Sequence, residues 1–580
     1  RDMLIAAAAK NWGIDASGCR ARAGFVMHAA SGRQARYGEL IATVVSLPIP
    51  KTVFLKEPHE FTLLGKPTPR KDTPLKVNGV AVFGQDVRLP GMLTAVVARC
   101  PVFGGKLRRY VDRETRKVKG VRHVLAIESG VAVVADDFWA ALKGREALSI
   151  EWDEGTNAKL SSADIRARFM RALERGGAVA RNDGNIERAL AGAARRVEAI
   201  YEVPYLAHAC MEPMNCTAVV KDGRCEVWVP TQAQTSTRHT AARIAGVPRE
   251  AVKINTTFLG GGFGRRGEQD FVIEAVTLAK RIGTPIKVLW TREDDIQHDF
   301  YRPASYNRLV CGLNARGIPS AWRHDIAGPS IFARVSGLKP GKIDRMSVEG
   351  AANLPYAIEN LRVSYAMENA HVPVGFWRSV GSSQNAYVTE CFFDEVAAAA
   401  RRDPFGLRRE LLKEHPRQRA VLELAAHKAG WGKPSPTGRT RGIALAESFG
   451  SYVAQVAEVS VVDQQVRVHH VVCAVDCGIV VNPDTVVAQM ESGIVYGLTA
   501  ALKGEITIQN GRVAQSNFHD YPLLRFDEMP AVEVHIVRST NPPGGVGEPG
   551  TPPIAPAVAN ALFAATGKPV RSLPIRLASG

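Results

Sequence analysis

Glu548 stands in a turn with an unusual composition for a surface carboxylate: Gly544-Gly545-Val546-Gly547-Glu548-Pro549-Gly550, then Thr551-Pro552-Pro553. Glycines admit positive φ and close approach to a ligand, while prolines fix φ and stiffen the chain. A helix reads from Pro556, with Ala557, Val558 and Ala561 as its apolar side. A carboxylate held rigidly beside a helix start, with backbone N–H groups near, suits a general base. Alone, the same motif fits a solvated Gly/Pro turn. A second glycine run, Gly260-Gly261-Gly262-Phe263-Gly264-Arg265-Arg266, follows a strand-like stretch at 252–257. Glycine runs are mostly turns, and it is the pairing of this run with the Glu548 turn that carries weight.

One further stretch has the chemistry to hold an anionic ligand. Trp377, Arg378 and Ser379 precede a helix read at 386–399, and amides at a helix start beside an arginine make an anion cradle. A strand ending near Asp476 leads through a turn into a glycine-punctuated helix with Gln489 and Gly493, where small residues permit close packing. A strand read at 227–234 ends in amides, and its Gln232 precedes Phe263 by 263 minus 232, or 31, positions. His208 and Glu212, four apart, imitate a metal pair, but Pro213 and the lack of a third ligand favour a structural role.

The glycine run and the Gly547-Glu548 turn together resemble the molybdopterin-binding large subunit of the molybdenum hydroxylase (xanthine oxidase) family. Within it, the nearest likeness is to the isoquinoline 1-oxidoreductase and membrane-linked aldehyde dehydrogenase types, over nearly the whole chain. The resemblance implies an α+β, multidomain fold. Its parts would be the end of an N-terminal cofactor-domain segment with a linker (1–65), an α/β hammerhead domain (66–155), a first molybdopterin-binding region (156–435), and a second carrying the glutamate (436–580). It implies a molybdopterin cytosine dinucleotide whose dithiolene, rather than protein side chains, holds the molybdenum. Cofactor contacts would come from Gln232, Gly261, Gly262, Phe263, Gly264, Arg265, Trp377, Arg378, Ser379, Gln489, Gly493 and Gly547. Glu548 would take the proton as water-derived oxygen enters an electron-poor carbon. Burial in the turn would raise its pKa.

After Phe263 the chain reads Gly-Arg-Arg-Gly-Glu, which puts Glu268 one position beyond the substrate-binding glutamate of purine-oxidising members. That argues against a purine and leaves an N-heteroaromatic compound or an aldehyde. The family likeness implies electron exit to a small subunit with two [2Fe–2S] clusters, with cytochrome c as a further acceptor. A glycine-rich turn bearing a glutamine, which precedes the first helix in the family, would come from a separate chain or another part of the polypeptide. Analogy places the complex in the periplasm. A rival reading is a catalytically silent scaffold or maturation partner of the same fold; another is a basic protein that binds an anionic polymer.

Composition narrows these classes. At 580 residues, 46% hydrophobic and 23% charged, the chain can bury the cores of three to five domains. No run of 18 apolar residues predicts a membrane span. The net charge of +17 is spread over positions such as Arg108, Lys119, Arg195 and Arg401. With no stripe of interleaved aromatics, nucleic acid is not the expected partner. The nine cysteines form no C-x-x-C, so neither an iron–sulfur cluster nor structural zinc is expected in this chain, and buried thiols are. A helix from Asp2 stops at Gly13, and a proline-rich linker runs over 47–72. Strands read at 80–84, 93–98, 121–127 and 131–134, with a helix at 138–142. Asp394, Glu395, Arg401 and Arg402 read as a solvated face.

Overall fold

Gly13 takes φ 66° and stops the first helix, Asp2–Trp12, because a residue without Cβ meets no penalty in the left-handed region. This helix packs Ala7, Ala8 and Ala9 against Val26, Ala35 and Leu40, on and beside a sheet of Cys19–Arg22, Phe25–His28 and Arg33–Arg36. The computed structural model describes residues 1–53 and 55–577; position 54 of the expected linker and positions 578–580 of the expected last region lie outside the described residues. The chain divides into two units, Arg1–Leu64 and Gly65–Gly580.

The second unit is built on three large sheets. One has seven strands in the order Val252–Thr256, Arg224–Val229, Asn215–Lys221, Ile286–Leu289, Leu93–Ala98, Gly130–Ala135 and Val121–Ile127. The parallel pairing of Leu93–Ala98 with Ile286–Leu289 joins strands from both sides of position 155 in one sheet. Gly130–Ala135 is buried at every position, as expected of a strand covered on both faces. The helix read at 138–142 forms and extends over Phe138–Glu146.

Two strand readings are corrected here. Residues 80–84 form no strand: Asp86 accepts the Phe83 N–H at 3.0 Å, taking a donor that a ladder would need. The strand expected at 227–234 stops at Val229, because Pro230 has no N–H to continue it, and Gln234 instead opens the helix Gln234–Ala245.

The other two large sheets have five strands (Arg195–Val203, Ser305–Leu313, Pro319–Gly328, Asn360–Met367, Ala178–Asp183) and four (Thr440–Ser448, Ser451–Val462, Gln465–Asp476, Ala531–Ile536). One hydrophobic core joins them through the helix Val380–Ala399. That helix begins six residues before the expected 386, and residues 381–397 are all buried. Asp394 and Glu395 are therefore not a solvated face. Asp394 accepts from Arg408 at 2.6 Å, and Glu395 accepts from the Tyr201 hydroxyl and from Arg571. Arg401 is exposed and Arg402 half-buried, so only the end of the helix reaches water.

The last helix, Ile554–Thr566, starts before Pro556, which occupies its first turn where a missing N–H costs nothing. Residues 554–562 are buried on every side, so the helix is a core rod rather than an amphipathic one. All nine cysteines are free, and all but Cys100 are buried. Among the described residues no helix is long and apolar enough to cross a membrane.

Candidate active site

Four segments far apart in sequence are tied together around the Glu548 turn. Its side chain is half-buried, and Oε2 accepts the N–H of Ser379 at 2.9 Å. The Ser379 hydroxyl donates to the Glu548 carbonyl at 2.7 Å, so this one residue fixes both ends of the glutamate. The amide expected from the helix after the turn thus comes from the start of Val380–Ala399. Burial raises the Glu548 pKa, opposed by the Ser379 N–H and the Arg378 charge.

Arg378 is the clamp of the site. Its Nε donates to the Gly547 carbonyl at 2.9 Å, Nη1 to Ser492 Oγ at 3.0 Å, and Nη2 to Gln489 Oε1 at 3.1 Å. These bonds tie the 544–550 turn to the helix Pro483–Leu502. The guanidinium is spent on protein groups, so Arg378 positions the turn rather than reaching out as a free cation. Burial lowers its pKa, and the Tyr496 and Glu548 groups oppose that.

The glycine run lies against the same place from another side. Gln232 Oε1 accepts the Gly264 N–H at 3.1 Å. Phe263 stacks on Tyr496 with centroids 4.3 Å apart, and Tyr496 stacks on Trp377 at 4.7 Å. The Tyr496 hydroxyl donates to the His208 carbonyl at 3.0 Å. Tyr496 was not among the residues expected from the sequence. Its spacing from Gln489 and Gly493 (i, i+4, i+7) is the signal that puts all three on one helix face.

Some expected residues serve elsewhere. Arg265 is fully buried and donates to Asp270 at 2.9 and 2.7 Å, with Asp299 at 3.1 Å, so its charge is consumed behind the loop. A Cβ on Gly493 would lie 3.0 Å from the Gly550 backbone, which makes that glycine a packing requirement between helix and turn. His208 and Glu212 sit in separate networks, His208 on Asp299 and the Phe376 carbonyl, Glu212 on the Gly260 N–H and Arg266. Glu268 is ion-paired with Arg334. Gly261 and Gly262 line the loop, and Gly547 has open space where a side chain would stand.

Gly264 combines φ 113° with a hypothetical Cβ only 1.6 Å from the Phe376 carbonyl oxygen. Gly264→Ala should therefore separate the glycine run from the Trp377–Ser379 segment, at a cost of about 1–3 kcal/mol for the backbone alone. A lower unfolding temperature together with quenched Trp377 packing, read by near-ultraviolet circular dichroism, checks it.

Comparison with known proteins places the chain in a family. Molybdopterin cofactor-binding domain families match residues 173–412 and 381–530. Isoquinoline 1-oxidoreductase subunit beta of Brevundimonas diminuta is 32% identical over 642 residues, covering 99% of this chain and 80% of that protein. Membrane-bound aldehyde dehydrogenase (pyrroloquinoline-quinone) of Gluconacetobacter polyoxogenes is 30% identical over 602 residues, covering 94% of this chain and 77% of that protein. In three dimensions, quinoline 2-oxidoreductase from Pseudomonas putida 86 superposes with a TM-score of 0.74 at 12% identity, over 89% of this chain and 97% of that one, and so shares the fold. The chain belongs to the molybdenum hydroxylase (xanthine oxidase) family as a molybdopterin-binding large subunit, a molybdenum-containing oxidoreductase.

Proposed function

We propose that this subunit oxidises an electron-poor carbon of an N-heteroaromatic compound or an aldehyde, with Glu548 as the proton acceptor. The observation that carries this reading is the Ser379–Glu548–Gly547–Arg378 constellation, a half-buried carboxylate that accepts the Ser379 N–H, in a turn whose backbone carbonyls are held by the Ser379 hydroxyl and the Arg378 guanidinium.

The residues present fit a molybdopterin. Buried polar atoms without a protein partner lie on the segments that meet at the turn: Gln384 Oε1, Ser448 Oγ, Ser451 Oγ and Thr551 Oγ1. Buried polar groups without partners are expensive, so such a set suits a ligand rich in hydrogen-bonding groups. Gln232, the backbone of the 261–264 loop, Ser379 and Gln489 would hold it, with Phe263, Tyr496 and Trp377 as the apolar wall beneath. When bound, the group supplies the two-electron oxidising centre.

The protein's own part is proton handling and placement. Glu548 accepts the proton lost as oxygen adds to the carbon. Arg378 keeps the turn from swinging away, and the raised Glu548 pKa makes it a stronger base than an exposed glutamate. We assign the cytosine dinucleotide form, a [2Fe–2S] partner subunit, a cytochrome c acceptor and a periplasmic location on family likeness. The subunit designation of the Brevundimonas relative supports a multisubunit complex.

The test is the molybdenum content of the natively purified complex, with intact masses of every co-purifying chain. Stoichiometric molybdenum with an iron–sulfur chain is the expected result. A complete complex without molybdenum would favour a silent scaffold and make Glu548 a turn residue only.

A further inference from the structure

We propose that Glu349 is a second proton-holding group of this site, receiving the proton that Glu548 accepts and passing it past Glu447 toward solvent. The proposal rests on the reading of Glu548 as the base.

The two carboxylates share one helix start. Ser379 directs its N–H to Glu548, while the N–H groups of Gly381 and Ser382 face the carboxylate of Glu349. The approach of Glu349 to this helix is built in. A Cβ on Gly381 would fall 1.9 Å from the Met346 carbonyl oxygen and 3.2 Å from Glu349 Cβ, so only glycine lets Glu349 close over the helix. Asn385 Nδ2 then pins that backbone, donating to the carbonyls of Ser347 at 3.0 Å and Glu349 at 2.7 Å. Despite this ordering, Glu349 Oε2 is buried with no hydrogen-bond partner in the protein. A structural carboxylate is normally satisfied, and this one is held ready for a proton.

The electrostatics favour a proton on Glu349. Burial pushes the Glu349 pKa up to about 7, with the charges of Glu548 and Glu447 adding and the Gly381 and Ser382 N–H groups opposing. The charges acting on its neighbours are Arg378 on Glu548, and His415 and Arg417 on Glu447. Glu447 is the last residue but one of the strand Thr440–Ser448, its carbonyl accepts the Ser382 hydroxyl at 3.2 Å, and burial raises its own pKa.

Near neutrality Glu349 is partly protonated, and the negative charge of Glu548 helps to keep the proton there. When Glu548 takes up a proton its negative charge disappears, and the repulsion that kept the proton on Glu349 is lifted. The O–H bond at Glu349 then breaks and its proton leaves by way of Glu447. The proton on Glu548 moves to the Glu349 carboxylate, and Glu548 is a base again. One proton has entered and one has left, and no electron has moved.

Two measurements on the complex as purified test this. Infrared titration of protein carboxyl groups should show one group with a midpoint near 7. That group should vanish in Glu349→Gln and titrate at lower pH in Glu548→Gln, because a like charge has been removed. In turnover, Glu349→Gln should keep KM and lose roughly tenfold in kcat, less than the hundredfold or more expected for a direct acid–base group, and Glu349→Asp should recover part of it.

A Glu349 midpoint unmoved by Glu548→Gln overturns the proposal, as does Glu349→Gln with the original kcat and pH profile. If Glu349→Gln does not fold, the infrared shift in Glu548→Gln decides alone. Full turnover in Glu548→Gln would instead remove the base reading beneath it, so the two failures are distinguishable.

Discussion

Glu548→Gln should lower turnover by roughly 10²–10⁴-fold, the usual worth of a positioned acid–base group, while the complex keeps its molybdenum. The substitution keeps the volume and one oxygen acceptor for the Ser379 N–H, and the second anchor, Ser379 Oγ to the Glu548 carbonyl, is untouched. Folding and cofactor retention are thus separated from proton acceptance. The ionisation of Glu548 should also be visible in the native protein. A base works only when deprotonated, and burial lifts this pKa above the ordinary 4.5, so the acid limb of kcat/KM should lie above that value. Activity is lost as pH falls through the raised pKa. Turnover in Glu548→Gln close to that of the native chain would show that the proton goes elsewhere.

The largest effect on stability is expected at Arg408. This arginine is fully buried and donates to Glu390 Oε2 at 3.0 Å, to Asp394 at 2.6 Å and to the Glu390 carbonyl at 2.9 Å. Glu390 in turn accepts from the Tyr356 hydroxyl at 2.6 Å and the Leu445 N–H at 2.8 Å. Arg408→Met removes the cation and leaves two carboxylates in the core, which costs about 3–5 kcal/mol. The pH dependence has a definite sign. Burial already pushes Asp394 up to about 6 against the opposing Arg408 charge, and removing that charge raises it further. The folded state then binds more protons than the unfolded chain, so the deficit should shrink as pH is lowered. Urea unfolding followed by tryptophan fluorescence at several pH values measures it. A deficit that is small, or that grows in acid, would show that the cluster is not the charged network described.

How much of this was legible in the sequence depends on the residue. Gly13 as a helix stop, the strands at 93–98 and 121–127, and the Gln489 helix follow from local rules, and the structure has them. Local reasoning failed wherever a polar residue was bound by a distant partner. Asp394 and Glu395 looked solvated because sequence carries no sign of Arg408, Tyr201 and Arg571 closing on them. Arg265 and Arg378 looked alike as cationic ligands of an anion. In the fold one is buried on Asp270 and Asp299, and the other clamps the Glu548 turn.

By itself the sequence determined that Glu548 sits in a stiff glycine- and proline-rich turn, that glycine loops are at hand, and that the chain has the family's overall make-up. Those properties are set by residue type and short spacing, because positive φ, missing N–H groups and apolar periodicity act within a few residues. Only the tertiary structure decided that Ser379 holds Glu548, that Tyr496 joins Phe263 to Trp377, and that Glu349 and Glu548 meet the start of one helix. Each of these joins residues more than a hundred positions apart, and the energy that brings them together is the burial of apolar surface between distant segments, which no local pattern encodes.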